Sequence, residues 1–194
     1  MNLLKERILK DGYVFGDNIV KVDSFLNHQI DVSLYNDIGK AFYERFKKYD
    51  ITKILTIEAS GIALAAITAQ YFDNIPVLFA KKSESLNLDT DKYSSEVFSF
   101  TKNRSYNIMV SKRYINSNDK LLIIDDFLAN GKALLGMKEI IDQANATLVG
   151  AGIVIEKGFQ EGGSIIRSMG IHVESLAIID SIEDGVIHFR PSGE

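Results

Sequence analysis

The chain has 194 residues, 46% hydrophobic and 25% charged, which excludes a disordered or collagen-like polymer and suits one folded core that buries roughly 70% of the unfolded surface. Its 22 basic and 26 acidic residues sum to a formal charge of −4, so no general pull toward nucleic acid or an anionic membrane operates, and any phosphate site must be local. Cysteine is absent; this excludes disulfides, thiolate metal centres and a cysteine nucleophile, and fits a reducing compartment.

The spacing of Leu3, Leu4, Ile8 and Leu9 predicts an amphipathic helix over residues 3–10, and Leu34, Ile38, Phe42 and Phe46 predict a second over 33–49. The start is charged rather than leader-like, and no window reaches 18 apolar residues; a cytoplasmic protein without a membrane span is expected. Residues 53–57 (KILTI) read as a buried strand, followed by a tight turn at Glu58-Ala59-Ser60-Gly61 and an apolar helix over 62–72. Pro76 opens a further strand over 76–80, where the missing N–H costs no interior bond.

From 81 to 120 the texture turns to Ser, Lys, Asn and Asp, with alternation at 94–100 and 107–111: a mobile excursion carrying a β-ribbon. Residues 121–124 resume the regular pattern as a strand. An acidic turn follows, then a helix that buries Ala133, Met137, Ile140, Ile141 and Ala144. Two more strands are expected at 150–156 and 172–179, with a Gly-rich turn and a short helix at 165–169 between them. Gly150-Ala151-Gly152 reads as a turn ahead of its strand. The unbroken apolar runs at 121–124 and 153–155 suit strands covered on both faces. The whole predicts a single α/β domain over 1–194, with a mostly parallel sheet of about five strands flanked by helices.

Chemistry concentrates in LLIIDDFLANGKA, residues 121–133. Asp125 and Asp126 lie at the carboxyl end of a buried strand, where open α/β sheets hold their ligands. An isolated acid pair there is as readily a helix cap. The following Ala129, Asn130, Gly131, Lys132 and Ala133 bring small side chains, free N–H groups and a cation to a helix start, which suits a phosphate monoester. It is not a Walker loop, because Asp126 stands where that motif needs glycine, nor is it a Rossmann fingerprint. His28, His172 and His188 are scattered without ligand spacing, so no protein-bound metal is expected. Glu58-Ala59-Ser60-Gly61 taken alone is a plain turn, and Lys157 taken alone a solvated surface charge.

Five segments together resemble the type I phosphoribosyltransferases, in the branch that uses xanthine: VDSFLNHQID at 22–31, TIEASGIA at 56–63, SFTK at 99–102, IDDFLANGKA at 124–133 and GIVIEKGFQ at 152–160. They stand in family order and frame nearly the whole chain. The resemblance implies transfer of the ribose 5-phosphate of phosphoribosyl pyrophosphate to N9 of a purine, with Mg2+ carried mainly by the sugar diphosphate. It implies that residues 129–133 receive the 5-phosphate and that Asp125 and Asp126 hold the ribose hydroxyls. Glu58, Ala59, Ser60 and Gly61 would face the diphosphate, and Lys81 and Lys82 leave the strand close to it, each equally readable as an ordinary surface lysine. Val20, Asn27 and Lys157 would form the base site, within an N-terminal segment of residues 1–32 and at a strand end. Phe127 or Phe159 would stack on the base, and residues 81–120 would be a flexible hood.

A lysine can only donate, which matches a 6-oxo purine better than adenine; guanine and hypoxanthine stay open beside xanthine. A non-catalytic sensor of phosphoribosyl pyrophosphate that binds DNA would need a basic module, and none is visible. The resemblance also implies a homodimer.

Overall fold

The computed structural model describes residues 1–16, 19–82, 91–99 and 104–191. The expectations for the rest of the 81–120 excursion, most of the SFTK stretch included, lie outside them. Helix α1 (Asn2–Asp11) buries Leu4 and Ile8 and leaves Leu3 and Leu9 exposed, a narrower stripe than the spacing predicts. A hairpin of β1 (Tyr13–Phe15) and β2 (Ile19–Lys21) and a π-helical turn at Asp23–Asn27 follow. Neither is foreseen above, since three-residue strands are too short to display a period. Helix α2 (Val32–Phe46) is capped by Asp31, whose carboxylate accepts from the Leu34 N–H at 3.1 Å, and it buries the four expected positions.

Next come β3 (Lys53–Ile57), α3 (Ser60–Tyr71) and β4 (Val77–Ala80), then the ribbon strands β5 (Lys92–Ser99) and β6 (Arg104–Ser111). The chain returns as β7 (Lys120–Leu128), α4 (Lys132–Gln143), β8 (Thr147–Lys157), α5 (Gly162–Ser168), β9 (Val173–Glu183) and β10 (Val186–Phe189). The sheet order is β10-β9-β8-β7-β3-β4. Strands β4, β3, β7, β8 and β9 run parallel, as expected, and β10 adds an antiparallel edge that the sequence reading lacks. Chain order runs one way from β3 to β4 and the other way from β7 to β9, so the topological switch point lies between β3 and β7.

Three expectations need correction. The acid pair is not in a turn: β7 continues through both residues to Leu128, and the chain bends at Gly131, which has φ +80°. The Gly150-Ala151-Gly152 run is not a turn either, but lies inside β8. A Cβ on Gly152 would come within 2.7 Å of Ile124 and 2.8 Å of Phe42, so this glycine is what lets α2 settle on the sheet. Ala133 is half-buried, and Leu134 takes the core position beside it.

Alternation along β7 divides the interior into two cores. Leu122 and Ile124 pack with Leu4, Phe25, Tyr35 and Phe42 on one face; Leu121 and Ile123 pack with Leu134, Met137 and Ile140 of α4 on the other. The ribbon joins this second core. Val97 and Ile108 are buried in it, and a Cβ on Gly136 of α4 would lie 2.6 Å from Val97. Ser95 donates to Glu139 at 2.7 Å across the same contact. Among the described residues, no helix is long and apolar enough to cross a membrane.

Gly152→Ala should lower the free energy of unfolding by about 1–3 kcal/mol, because Phe42 and Ile124 are fully buried and have little room to yield. Urea unfolding checks this; an unchanged midpoint would show that α2 does not depend on that contact.

Candidate active site at the carboxyl edge of the sheet

The same alternation that splits the core carries past Ile124 into the two acids and sends them to opposite faces. Asp125, only 6% exposed, faces the ribbon side and lines a cavity of about 180 Å³ with Tyr106 and residues 129–133. Half-buried Asp126 faces the N-terminal side, where its Oδ2 accepts from the Asn27 amide at 3.2 Å. Backbone bonds fix both carboxylates: the Asp126 N–H donates to Asp125 Oδ1, and the Phe127 N–H to Asp126 Oδ1, each at 3.0 Å.

Burial first, and then the charge of Asp126, push the Asp125 carboxyl well above the usual carboxylate range, while the Lys82 ammonium pulls weakly the other way. The adjoining phenols respond in kind. Burial, followed by the charge of Asp125, raises Tyr106. Burial, followed by Asp126, pushes Tyr35 up to about 12.

The loop after β7 turns on one glycine and one asparagine. Gly131 caps α4 in the left-handed region, and the Asn130 side chain accepts from the Lys132 N–H at 3.2 Å. Residues 129–134, the start of α4 included, line the same cavity as Asp125. Across the switch point, Glu58-Ala59-Ser60-Gly61 turns from β3 into α3 with a cis peptide between Glu58 and Ala59. A Cβ on Gly61 would sit 1.9 Å from the Thr56 hydroxyl, so only glycine lets α3 begin so tightly against its strand. The Glu58 carboxylate accepts from the Lys82 N–H at 2.6 Å and ties this turn to the end of β4.

The structure separates the two lysines at that point. Lys82 stands with its Nζ 5.5 Å from the centre of the Tyr106 ring and within electrostatic reach of Asp125. Lys81 lines a different cleft, of about 660 Å³, with Lys53, Phe79, Arg113 and Tyr114. That cleft is the larger, yet among the described residues no carboxylate lines it, whereas Asp125 lines the smaller one.

At the end of β8, Lys157 holds its Nζ 5.9 Å from the centre of the Phe127 ring, and burial lowers the ammonium's pKa. Phe127 is thus the aromatic that lies beside Lys157, whereas Phe159 is exposed. Val20 is buried in the core against which Phe127 packs. Tyr35 and Tyr106 escaped the sequence reading. Tyr35 sits one position after Leu34 on the helix stripe, and Tyr106 alternates with Ile108 just before the run of alternation that was noticed; both signals were present.

An open, mostly parallel sheet with acids and a small-residue loop at the start of a helix beside its switch point defines a class of α/β protein that holds phosphorylated ligands. The comparisons narrow that class. Residues 27–165 match the phosphoribosyl transferase domain. The xanthine phosphoribosyltransferase of Ruminiclostridium cellulolyticum is 63% identical over 189 residues, spanning 97% of this chain and 99% of that protein. That of Clostridioides difficile is 60% identical, over 98% and 100%. Among solved structures, adenine phosphoribosyltransferase from Rhodothermus marinus aligns with a TM-score of 0.74 at 18% identity, covering 92% of this chain and 100% of that one. The Trypanosoma brucei adenine enzyme aligns with 0.73 at 19%, over 90% and 79%. The chain belongs to the phosphoribosyltransferase family and has the type I fold.

Asp125 holds its proton to higher pH when folded than when unfolded. Stability therefore falls as pH rises from the unfolded carboxylate range through the folded pKa, and the full penalty stands above it. Asp125→Asn keeps the acceptor and removes the charge, so it should stabilise the fold at pH 7.5 and lose that advantage near pH 4. Urea melts at the two pH values check this; a variant less stable than the parent at pH 7.5 would contradict it.

Proposed function

We propose that this chain transfers the 5-phosphoribosyl group of phosphoribosyl pyrophosphate to N9 of xanthine, giving XMP and pyrophosphate in purine salvage. The observation that carries the proposal is the split acid pair: Asp125 opens onto the small-residue loop, while Asp126 meets Asn27. That divides one strand end between a sugar-phosphate side and a base side. Identity near 60% over almost the full length to relatives named for xanthine supports the choice of base.

In this scheme the loop 129–133 binds the 5-phosphate through backbone N–H groups and Lys132 at the start of α4. Asp125 and Asp126 accept hydrogen bonds from the ribose hydroxyls. The bond from C1 to the diphosphate oxygen breaks as N9 attacks, and the ribosyl carbon gains positive character. A fixed carboxylate in a water-poor pocket stabilises that charge without reorganising. Glu58, Ala59, Ser60 and Gly61 hold the departing diphosphate, with Lys82 beside them and Lys81 reaching from the neighbouring cleft.

Among the described residues, no group of three or more His, Asp or Glu could hold a metal. Asp125 and Asp126 lie on opposite faces and form no protein cage, which suits Mg2+ that would keep its waters and arrive with the substrate's diphosphate. When bound there, the ion neutralises leaving-group charge. On the base, Asn27 addresses the O2/N3 edge and Lys157 donates to O6, with Phe127 against the ring and Val20 behind it. The structural neighbours are adenine enzymes, but at 17–22% identity they carry the fold alone. Lys157 has no acceptor to offer an amino group. We assign the protein to the cytoplasm and to a homodimer on the same family grounds.

Asp126→Asn should lower kcat/KM by roughly 10²–10³, and Lys132→Ala should raise KM for phosphoribosyl pyrophosphate about tenfold. Following nucleotide formation with each of the four purines and Mg2+ checks both. Hypoxanthine outrunning xanthine would displace the base assignment, and undiminished turnover in both variants would displace the site.

A further inference from the structure

The Gly-rich turn between β8 and β9 has no part in the scheme above, yet it touches the phosphate loop directly. The Gly162 N–H donates to the Ala129 carbonyl at 3.1 Å. A Cβ on Gly162 would lie 2.2 Å from that carbonyl oxygen, 2.5 Å from the Gly131 nitrogen and 2.6 Å from the Asn130 carbonyl carbon. All three are backbone atoms of the loop. No side chain fits there unless the loop itself is displaced.

The next residue is anchored as tightly. A Cβ on Gly163 would lie 2.0 Å from Glu156 Oε1. Glu156 is 2% exposed and takes a two-pronged grip from Arg167, Nη1 to Oε1 and Nη2 to Oε2, each at 2.7 Å; the Ser175 hydroxyl of β9 donates to the same carboxylate. Burial would raise the Glu156 carboxyl, but the Arg167 fork and the Ser175 hydroxyl outweigh it and hold it below its usual range. Glu156 pairs with Leu128, the last residue of β7, and precedes Lys157. The fork therefore clamps α5 to the end of β8, which pairs with the end of β7 just before the loop, and Gly162 passes that placement to the loop backbone.

We infer that Gly162, Gly163 and the Glu156–Arg167 fork are positioning residues that set the shape of the phosphate loop from behind. The inference rests on the assignment of residues 129–133 to the 5-phosphate. A loop that presents N–H groups to a tetrahedral anion tolerates little error, and a displacement of about 1 Å can cost as much as 10²-fold. The Glu58 turn lies across the switch point and makes none of these contacts, so its ligand should not notice a change at Gly162.

The test is titration calorimetry of the intact protein with two ligands, ribose 5-phosphate for the loop and Mg2+-pyrophosphate for the Glu58 turn. Gly162→Ala should weaken ribose 5-phosphate about tenfold or more, leave pyrophosphate affinity within about twofold, and raise KM for phosphoribosyl pyrophosphate without moving KM for xanthine. Arg167→Lys keeps the charge but loses the fork; it should give the same selective loss and serves if the alanine variant fails to fold. Parent-like ribose 5-phosphate affinity in either folded variant overturns the inference, as does an equal loss of both ligands. A parent protein that turns over xanthine yet keeps its ribose 5-phosphate affinity in Lys132→Ala would instead overturn the loop assignment.

Discussion

The pleat of one strand organises both the interior and the site. Along β7 the side chains at 121 and 123 go to one core and those at 122 and 124 to the other, and the same two-residue period delivers Asp125 and Asp126 to opposite faces. Adjacent acids in a turn would share one environment. On a strand they do not: Asp125 opens onto the small-residue loop, and Asp126 meets Asn27. The switch point beside β7 supplies the space, since β3 and β7 carry their loops away from each other.

That arrangement has a thermodynamic cost. A carboxyl buried to 6% exposure beside a second carboxylate is an unfavourable group to fold around. The surroundings offset it only in part: a backbone N–H on Asp125, the amide of Asn27 on Asp126, and a distant ammonium on Lys82. The long apolar strands and fully buried α2 phenylalanines carry the stability that the strand end gives up. Strain of this kind at a binding edge is the usual exchange between stability and activity.

The elements that bury a long periodic face were legible in the sequence. Leu34, Ile38, Phe42 and Phe46 mark α2, and the run at 121–124 marks a central strand with its loop. What failed were boundaries and short pieces. Asp125 and Asp126 carry polarity that reads as a strand end, yet the backbone keeps pairing with β8 because Ile153 and Ile155 stand opposite. Glycines mislead in the same manner: Gly150 and Gly152 lie mid-strand to admit α2, and propensity cannot see the aromatic ring that needs the room. That residues 125 and 129–133 share one cavity was legible because acids and small residues cluster locally. Lys82 over Lys81, and the contribution of Tyr106, depend on which way adjacent side chains leave a strand end, and that only tertiary packing decides.

Gly136 holds a last consequence. It seats Val97 on α4, and the strand partner of Val97 is Tyr106. Since α4 also begins at the 129–133 loop, one continuous set of packing contacts links the ribbon to that helix and the helix to the loop. The tyrosine over Asp125 is therefore in place from the outset and needs no hinge to deliver it.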